Sequence, residues 1–284
     1  MQTCRDAVSA LRQAMEKQIS GELTFPTSLD ASRRVLRAVE NPDIGLAALA
    51  KIVVAEPLLS AKVIRLANSV ALNPMGQLVS DVRHAVLRVG MNQIKSMAMA
   101  LLLEQLRQTQ RHVACRDIAN RLWERSVHVA ALAYVLARKM TKLDADEAMF
   151  AGIVHDLGRF YLLARAAEYP ELIANAQLMA QTINDLAPQA NERVLEALTL
   201  PDGVIAAVRS SRAFSGNLPP ASLGDVLFIA RTVSPRENPL ETLDGRNPPV
   251  ENPAEVLGLE EEMVRELVTA SGDEIYSIVV ALEA

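Results

Sequence analysis

Aromatic residues, glycines and cysteines are scarce in this sequence. Only 4% of its 284 residues are aromatic and 12 are glycine, whereas alanine, leucine and valine dominate. This composition favours packed helices over β-sheet. The two cysteines, Cys4 and Cys115, belong to no CxxC or Cys/His ligand spacing. We therefore expect neither a zinc finger nor a disulfide framework, and we expect a reducing compartment.

The sequence also lacks long hydrophobic runs and basic tracts. Its longest uncharged apolar run, MAMALLL at 97–103, is far too short to cross a bilayer, and the N-terminus lacks the apolar core of a signal peptide. The formal net charge is −5, with acidic and basic residues interleaved, which argues against a general electrostatic attraction to nucleic acid. We expect a cytoplasmic protein that binds neither membranes nor nucleic acid.

Apolar residues recur at helical intervals almost throughout, so the sequence predicts an all-α protein. An N-terminal helical bundle, residues 1–110, is predicted to pack on a second bundle, residues 111–284. The helices predicted in the first bundle lie near 3–20, 28–39 with Ser28 as N-cap, 46–56, 57–69, 81–90 and 91–108. Residues 70–80, with Pro74 and Gly76, are predicted to form a loop.

The second half begins with a long helix predicted at 116–140, joined by a short turn to a single helix at 147–166. Shorter helices are predicted near 170–180, 185–198, 202–213 and 220–233. Residues 234–253 contain five prolines and are predicted to be irregular. A last helix is predicted at 260–282.

The stretch GIVHDLGR, residues 152–159, places His155 directly beside Asp156 within an apolar run. If the helices at 116–140 and 147–166 form an antiparallel hairpin, His128 lies about 18 Å and His155 about 15 Å from the turn, at about 1.5 Å per residue. Asp156 follows about 100° further around the helix, so the three side chains could border one cavity.

Imidazole nitrogens and a carboxylate suit a divalent transition metal, which could polarise a phosphate and activate water. Three such groups are few for a hydrolytic metal pair. The alternative is that His128 and His155 are core or interfacial histidines, each hydrogen-bonded to a neighbour. The residue inventory favours this alternative.

Several stretches together resemble the HDOD domain. They are FPTSLDASRRVLRAVENPDIGLAALAKIVVAEPLLSAKVIRLANS, SDVRHAVLRVGMNQIKSMAMA, RLWERSVHVAALAYVLARK and DEAMFAGIVHDLGRFYLL. The resemblance covers about residues 23–214 and keeps order and spacing. It implies an all-helical relative of the HD phosphohydrolases that lacks the full metal site and serves as a bacterial signalling or regulatory module.

Under this resemblance, His128 corresponds to the first histidine of the HD family, and His155 with Asp156 to the HD pair. Arg231 stands where a terminal metal-binding aspartate is expected. We hypothesise that Arg231, or a similar cation, neutralises Asp156 where a metal would sit in an active relative. The alternative is that Arg231 points to solvent.

Other positions also depart from the catalytic pattern of the family. Ser210 and Ser211 replace the paired histidines often found there. Asp225 lies six residues before Arg231, on a different face of the same helix, and is not expected to substitute for the missing aspartate.

The sequence therefore predicts a regulatory module without catalytic residues, metal or cofactor. Its partner is expected to be a signalling protein, or a small-molecule or nucleotide ligand held between the two bundles near His155. The alternative function is a metal-dependent phosphohydrolase acting on a nucleotide or cyclic dinucleotide through His128, His155 and Asp156. The oligomeric state and the identity of the partner stay open.

Overall fold

The computed structural model describes residues 2–19, 30–108, 110, 112–246, 252–258, 260, 262, 266, 269 and 271–283. Every regular element among these residues is a helix, so the predicted all-α fold class is confirmed. No helix of the described chain combines the length and the apolar character that crossing a membrane requires. The predicted N-cap Ser28 lies outside the described residues.

The first half of the chain folds as its apolar pattern and capping residues predict. Pro57 occupies the first turn of its helix. The Asp81 side chain accepts a hydrogen bond from the His84 amide at 3.0 Å, and Gly90 ends the same helix with φ 81°. The helices are α1 Gln2–Ile19, α2 Asp30–Glu40, α3 Leu46–Val54, α4 Pro57–Ala67, α5 Val82–Val89 and α6 Met91–Gln108.

The second half is built around the longest described helix, α7, which packs against α8, α13 and the final helix. Its helices are α7 Val113–Met140, α8 Ala145–Val154, α9 Leu157–Ala166, α10 Pro170–Ile173, α11 Ala176–Ala197, α12 Asp202–Ser210, α13 Leu223–Val233, α14 Pro239–Asp244, α15 Pro253–Leu257 and α16 Gly272–Glu283. Three sequence predictions need correction here.

First, the single helix predicted at 147–166 is wrong, because it is interrupted at His155 and Asp156 and forms α8 and α9. Second, the two helices predicted near 170–180 and 185–198 are wrong. In this part of the chain a four-residue helix, α10, is followed by one long helix, α11, which continues unbroken through Pro188. A proline removes one backbone donor from a helix. The buried face of α11 extends on both sides of Pro188, and its packing keeps the helix continuous there.

Third, the segment 234–253 is not wholly irregular. Asn238 caps α14 through the Leu240 amide at 3.0 Å, and Pro239 occupies the first turn, where its missing N–H costs nothing. Leu240 is fully buried. Residues 247–251 and most of 259–270 lie outside the described residues, and the final helix α16 begins at Gly272 after a turn at Ser271.

Helices α7 and α8 form the predicted antiparallel hairpin at close range. A Cβ on Gly152 would lie 2.4 Å from the Cα of Ala130, so glycine is required where these two backbones meet. Because Ala130 is opposite Gly152, the register places His128 level with the end of α8. The depth comparison made from sequence is therefore correct.

Both ends of the chain pack across the predicted bundle boundary near residue 110. Helix α1 packs on α10 and α11, with Arg12 3.7 Å from Asp185. Helix α16 packs on α4 and α7. The buried Lys62 donates to the Leu282 carbonyl at 2.8 Å and lies 3.2 Å from Glu104. The division into two bundles stays a prediction.

Candidate functional site

The site forms where α8 ends and α9 begins. His155 directly follows α8 and Asp156 directly precedes α9, so the His155 carbonyl and the Gly158 amide lie at helix ends, where helical partners are missing. Asn191 of α11 supplies those partners. Its Nδ2 donates to the His155 carbonyl at 2.5 Å, and its Oδ1 accepts from the Gly158 amide at 2.8 Å. The joint is thus fixed by a buried side chain from a neighbouring helix.

The ring orientation of His155 is set by its own helix. Nδ1 lies 2.6 Å from the Gly152 carbonyl and must carry a hydrogen there, because a carbonyl only accepts. In the neutral ring, Nε2 then presents a lone pair. Nε2 lies 3.3 Å from Asp156 Oδ2, yet neither atom is hydrogen-bonded to any described residue.

Asp156 is neutralised by Arg159, one turn further along α9. Arg159 Nη1 donates to Asp156 Oδ1, Nη2 to Glu241 Oε1 at 2.8 Å, and Nε to Asn184 Oδ1 at 3.2 Å. Burial alone would raise the pKa of the Asp156 carboxyl, but the nearby Arg159, His155 and Arg231 outweigh it and hold that pKa well below its usual range. The carboxylate is therefore charged and already paired.

Arg231 lies in the same site but does not pair directly with Asp156. Its Nη1 donates to the Ser211 carbonyl at 3.2 Å and lies 3.4 Å from Ser211 Oγ. Its Nε is buried without a partner among the described residues. Burial lowers the pKa of Arg231, the charge of Asp156 opposes this, and the charge of Arg159 adds to it.

The hypothesis that a cation neutralises Asp156 therefore holds for Arg159 and fails for Arg231 as the direct partner. The alternative that Arg231 points to solvent is wrong as well.

A small cavity of about 110 Å³ opens beside these groups. Three guanidinium groups and one carboxylate contribute to its wall. It is lined by His155, Asp156, Arg159, Ala187, Pro188, Asn191, Val208, Ser211, Arg212 and Arg231. Every lining residue falls between 155 and 231, within the range assigned to the second predicted bundle, so this cavity does not lie between the two predicted bundles.

The structure does not bring His128 into this cavity. His128 lies at the expected depth on α7, but it is absent from the cavity wall, and its Nδ1 is buried without a partner in the described chain. Burial, reinforced by the charge of Arg236, lowers the pKa of His128, so the ring is neutral near pH 7. Counting residues along α7 predicted the level of His128 but could not predict the direction in which its side chain points.

The remaining candidate positions serve local structure. Asp225 accepts from the Ser215 amide at 3.0 Å and from Ser222 Oγ at 2.8 Å, so it holds the turn before α13. Asp225 is not among the residues that line the cavity. Ser210 donates to Ala207 O at 3.2 Å, and only its neighbour Ser211 lines the cavity.

The residues of this site do not fit a divalent metal. His155 Nε2 and Asp156 Oδ2 are buried acceptors of the right kind. However, the other Asp156 oxygen is occupied by Arg159, and Arg231 adds a second positive charge. Among the described residues, no group of three or more His, Cys, Asp or Glu side chains could hold a metal ion.

Sequence reasoning missed four contributors to the site. Arg159 was detectable, because an Asp–Arg pair three residues apart lies on one face of a helix. Asn191, Arg212 and Glu241 come from distant segments, and no local pattern marks them. Glu241 in particular belongs to α14, in the segment predicted to be irregular.

The chain is similar to solved bacterial proteins over nearly its whole length. One from Shewanella amazonensis, provisionally named a metal-dependent phosphohydrolase, is 23% identical with a TM-score of 0.75, covering 99% of this chain and 100% of that one. An HDOD domain protein of unknown function from Geobacter sulfurreducens is 20% identical with a TM-score of 0.61, covering 98% of each chain.

A third, from Marinobacter aquaeolei, is provisionally named a signal transduction protein. It is 21% identical with a TM-score of 0.58, covering 98% of this chain and 66% of that one. At these identities the three similarities show a shared fold. No curated protein matches the sequence.

The family model of the HDOD domain matches residues 25–209. This range contains α2 to α11 and all of α12 except its last residue. It includes His155, Asp156, Arg159 and Asn191, and it agrees with the resemblance found from the sequence at 23–214. The chain belongs to the HDOD domain family.

Proposed function

We propose that this protein is a bacterial signalling or regulatory module that works by binding a partner protein or a small ligand, without catalysis. The observation that carries the proposal is the contact between Arg159 and Asp156. In a metal-dependent hydrolase this carboxylate would hold the cation. Here a guanidinium from the same helix already compensates its charge, and Glu241 holds that guanidinium in place at 2.8 Å.

The proposed signal passes through the helices that meet at the cavity. Arg159 belongs to α9, Asn191 to α11 and Arg231 to α13, while Ser211 directly follows α12. A ligand that contacts all four elements binds best in one arrangement of them, and so it shifts the population toward that arrangement. Helix α11 also packs against α1, which extends such a shift to the first helix.

The alternative function is metal-dependent phosphohydrolysis through His155 and Asp156, with His128 as a third group. The His155 ring supports it, because a histidine that donates from Nδ1 and presents Nε2 is oriented as metal-ligating histidines are. The name of the Shewanella amazonensis protein points the same way, but the shared fold alone does not carry an activity.

A hydrolysis assay decides between the two functions. We expect purified protein to contain substoichiometric metal and to turn over neither a nucleotide nor a cyclic dinucleotide when Mn²⁺ is added. The control is His155→Ala, measured in parallel. Turnover in the wild type that His155→Ala abolishes would establish the hydrolase and contradict the proposal.

The binding role is tested by capturing partners from the native host with the wild type, Arg231→Gln and Arg209→Gln. Arg209 is an exposed arginine of α12 that pairs with Glu192. Arg209→Gln therefore removes the same charge as Arg231→Gln, but at a residue outside the cavity wall. A partner whose binding or signalling output depends on Arg231 but not on Arg209 supports the proposal. Equal behaviour of all three proteins counts against it.

A further inference from the structure

The cavity beside His155 has one wall of unused hydrogen-bond donors. Arg231 presents a buried Nε that has no partner among the described residues. Arg212, which is exposed, contributes a second guanidinium at the rim and donates from Nη2 to the Pro188 carbonyl at 3.1 Å. The partners that the described chain offers these two arginines are neutral oxygens. Their charges are therefore available to an anion.

The opposite wall presents unused acceptors. His155 is 4% and Asp156 2% exposed, and His155 Nε2 and Asp156 Oδ2 lie 3.3 Å apart. Neither atom has a hydrogen-bond partner in the described chain. With His155 neutral, two buried acceptors at this distance repel each other. Either a proton on His155 Nε2 or a hydrogen donated by a bound molecule relieves that repulsion.

Few chemical groups satisfy both walls. A divalent cation would suit the acceptors but meets the charges of Arg159, Arg212 and Arg231. An anion without hydrogens would suit the arginines but faces the Asp156 carboxylate. A hydroxyl-bearing phosphate carries negative oxygens for the arginines and a P–OH hydrogen for the acceptors.

We infer that the cavity binds a phosphate group in its hydroxyl-bearing form, either as free hydrogen phosphate or as the end of a phosphate monoester. The cavity of about 110 Å³ is large enough for one such group. This inference deepens the proposed function by naming the class of ligand for the same site. The arginines replace the metal as the group that holds the phosphate.

Calorimetric titration of the full chain with inorganic phosphate, in the presence of EDTA, tests the inference. Sulfate is the matched anion, because it has the same shape and carries no hydrogen at neutral pH. We expect phosphate to bind at one site and sulfate to bind at least about a hundredfold more weakly, since sulfate leaves the buried acceptors unpaired. Methyl phosphate, titrated in the same way, distinguishes free phosphate from a monoester as the form the cavity accepts.

Substitutions separate the two walls of the cavity. Arg231→Gln and, independently, Arg212→Gln should each weaken phosphate binding about tenfold to a hundredfold, while Arg209→Gln leaves it unchanged. Asp156→Asn should instead reduce the preference for phosphate over sulfate, because an amide can donate to sulfate. Circular dichroism identifies any variant that fails to fold. If Arg231→Gln fails to fold, Arg212→Gln still tests the inference, because Arg212 is exposed.

Three results would overturn the inference. They are no phosphate binding at millimolar concentrations, equal affinity for phosphate and sulfate, and binding that requires a divalent metal. Because binding is measured directly, its failure is distinct from failure of the regulatory role. Phosphate binding that alters no partner interaction would leave the cavity assignment intact and count against the proposed function.

Discussion

Replacing Arg159 with methionine is expected to destabilise the protein by about 3–5 kcal/mol, the usual cost of leaving one member of a buried ion pair without its partner. Methionine retains much of the apolar stem of arginine, so the loss is mainly electrostatic. Glu241 is 39% exposed in its side chain and can return to solvent. Asp156 is 2% exposed and cannot. Urea denaturation measures the change in the free energy of unfolding.

Two matched variants identify the cause of this loss. Arg165→Met, on the same helix, removes an ion pair with Glu168, whose side chain is 54% exposed, and a 3.4 Å contact with the Tyr161 hydroxyl, and should cost about 2 kcal/mol or less. Asp156→Asn combined with Arg159→Met removes the buried charge together with its partner and should recover most of the lost stability. If Arg159→Met costs no more than Arg165→Met, Arg159 does not neutralise the site as described.

The destabilisation should also depend on pH. In the wild type the pKa of Asp156 is below its ordinary value, so its contribution to stability is present above about pH 4 and is lost as pH falls further. In Arg159→Met, burial without the main cation raises that pKa, so the variant gains relative stability as the carboxylate is protonated. The stability difference between the two proteins should therefore be largest near pH 7 and narrow as pH falls through about 4. A constant difference across this range would contradict the role assigned to Asp156.

Local patterns in the sequence were sufficient for most of the fold. The sequence located helices α3 to α6 closely. The signals were the 3.6-residue apolar period, the caps Asp81 and Gly90, and Pro57 in the first turn of α4, all of which act within one or two turns. The level of His128 opposite the end of α8 followed from helix rise alone. The family followed from motifs whose order and spacing extend across most of the chain.

The contents of the site could not be predicted in the same way. The interruption between α8 and α9 is stabilised by Asn191, which is distant in sequence, so nothing within the stretch GIVHDLGR marks it. Arg159 reaches Asp156 because the helix restarts at Leu157, and Glu241 reaches Arg159 through α14. Contacts of this kind depend on tertiary packing, which overrides local propensity.

The stretch GIVHDLGR also predicts the second large effect, at Gly158. A Cβ added there would lie 2.4 Å from the Asn191 amide nitrogen and 2.6 Å from its Cα. Both are backbone atoms of α11, the nitrogen being that of the peptide bond. Unlike the end of a flexible side chain, they cannot move aside. Gly158→Ala should therefore force α9 and α11 apart and cost about 3 kcal/mol or more, at the upper end of overpacking effects.

Gly203→Ala is the control for this substitution. Gly203 lies in the first turn of α12 with nothing within 4 Å of an added Cβ, so the change should be neutral or stabilising by up to about 1 kcal/mol. Thermal denaturation compares the two variants, and phosphate titration of folded Gly158→Ala tests the site. Separation of α9 from α11 displaces Asn191 from the His155 carbonyl, so phosphate affinity should fall even though no residue that contacts the ligand has changed. A stable Gly158→Ala variant with wild-type phosphate affinity would show that the close contact of α9 with α11 does not position the cavity.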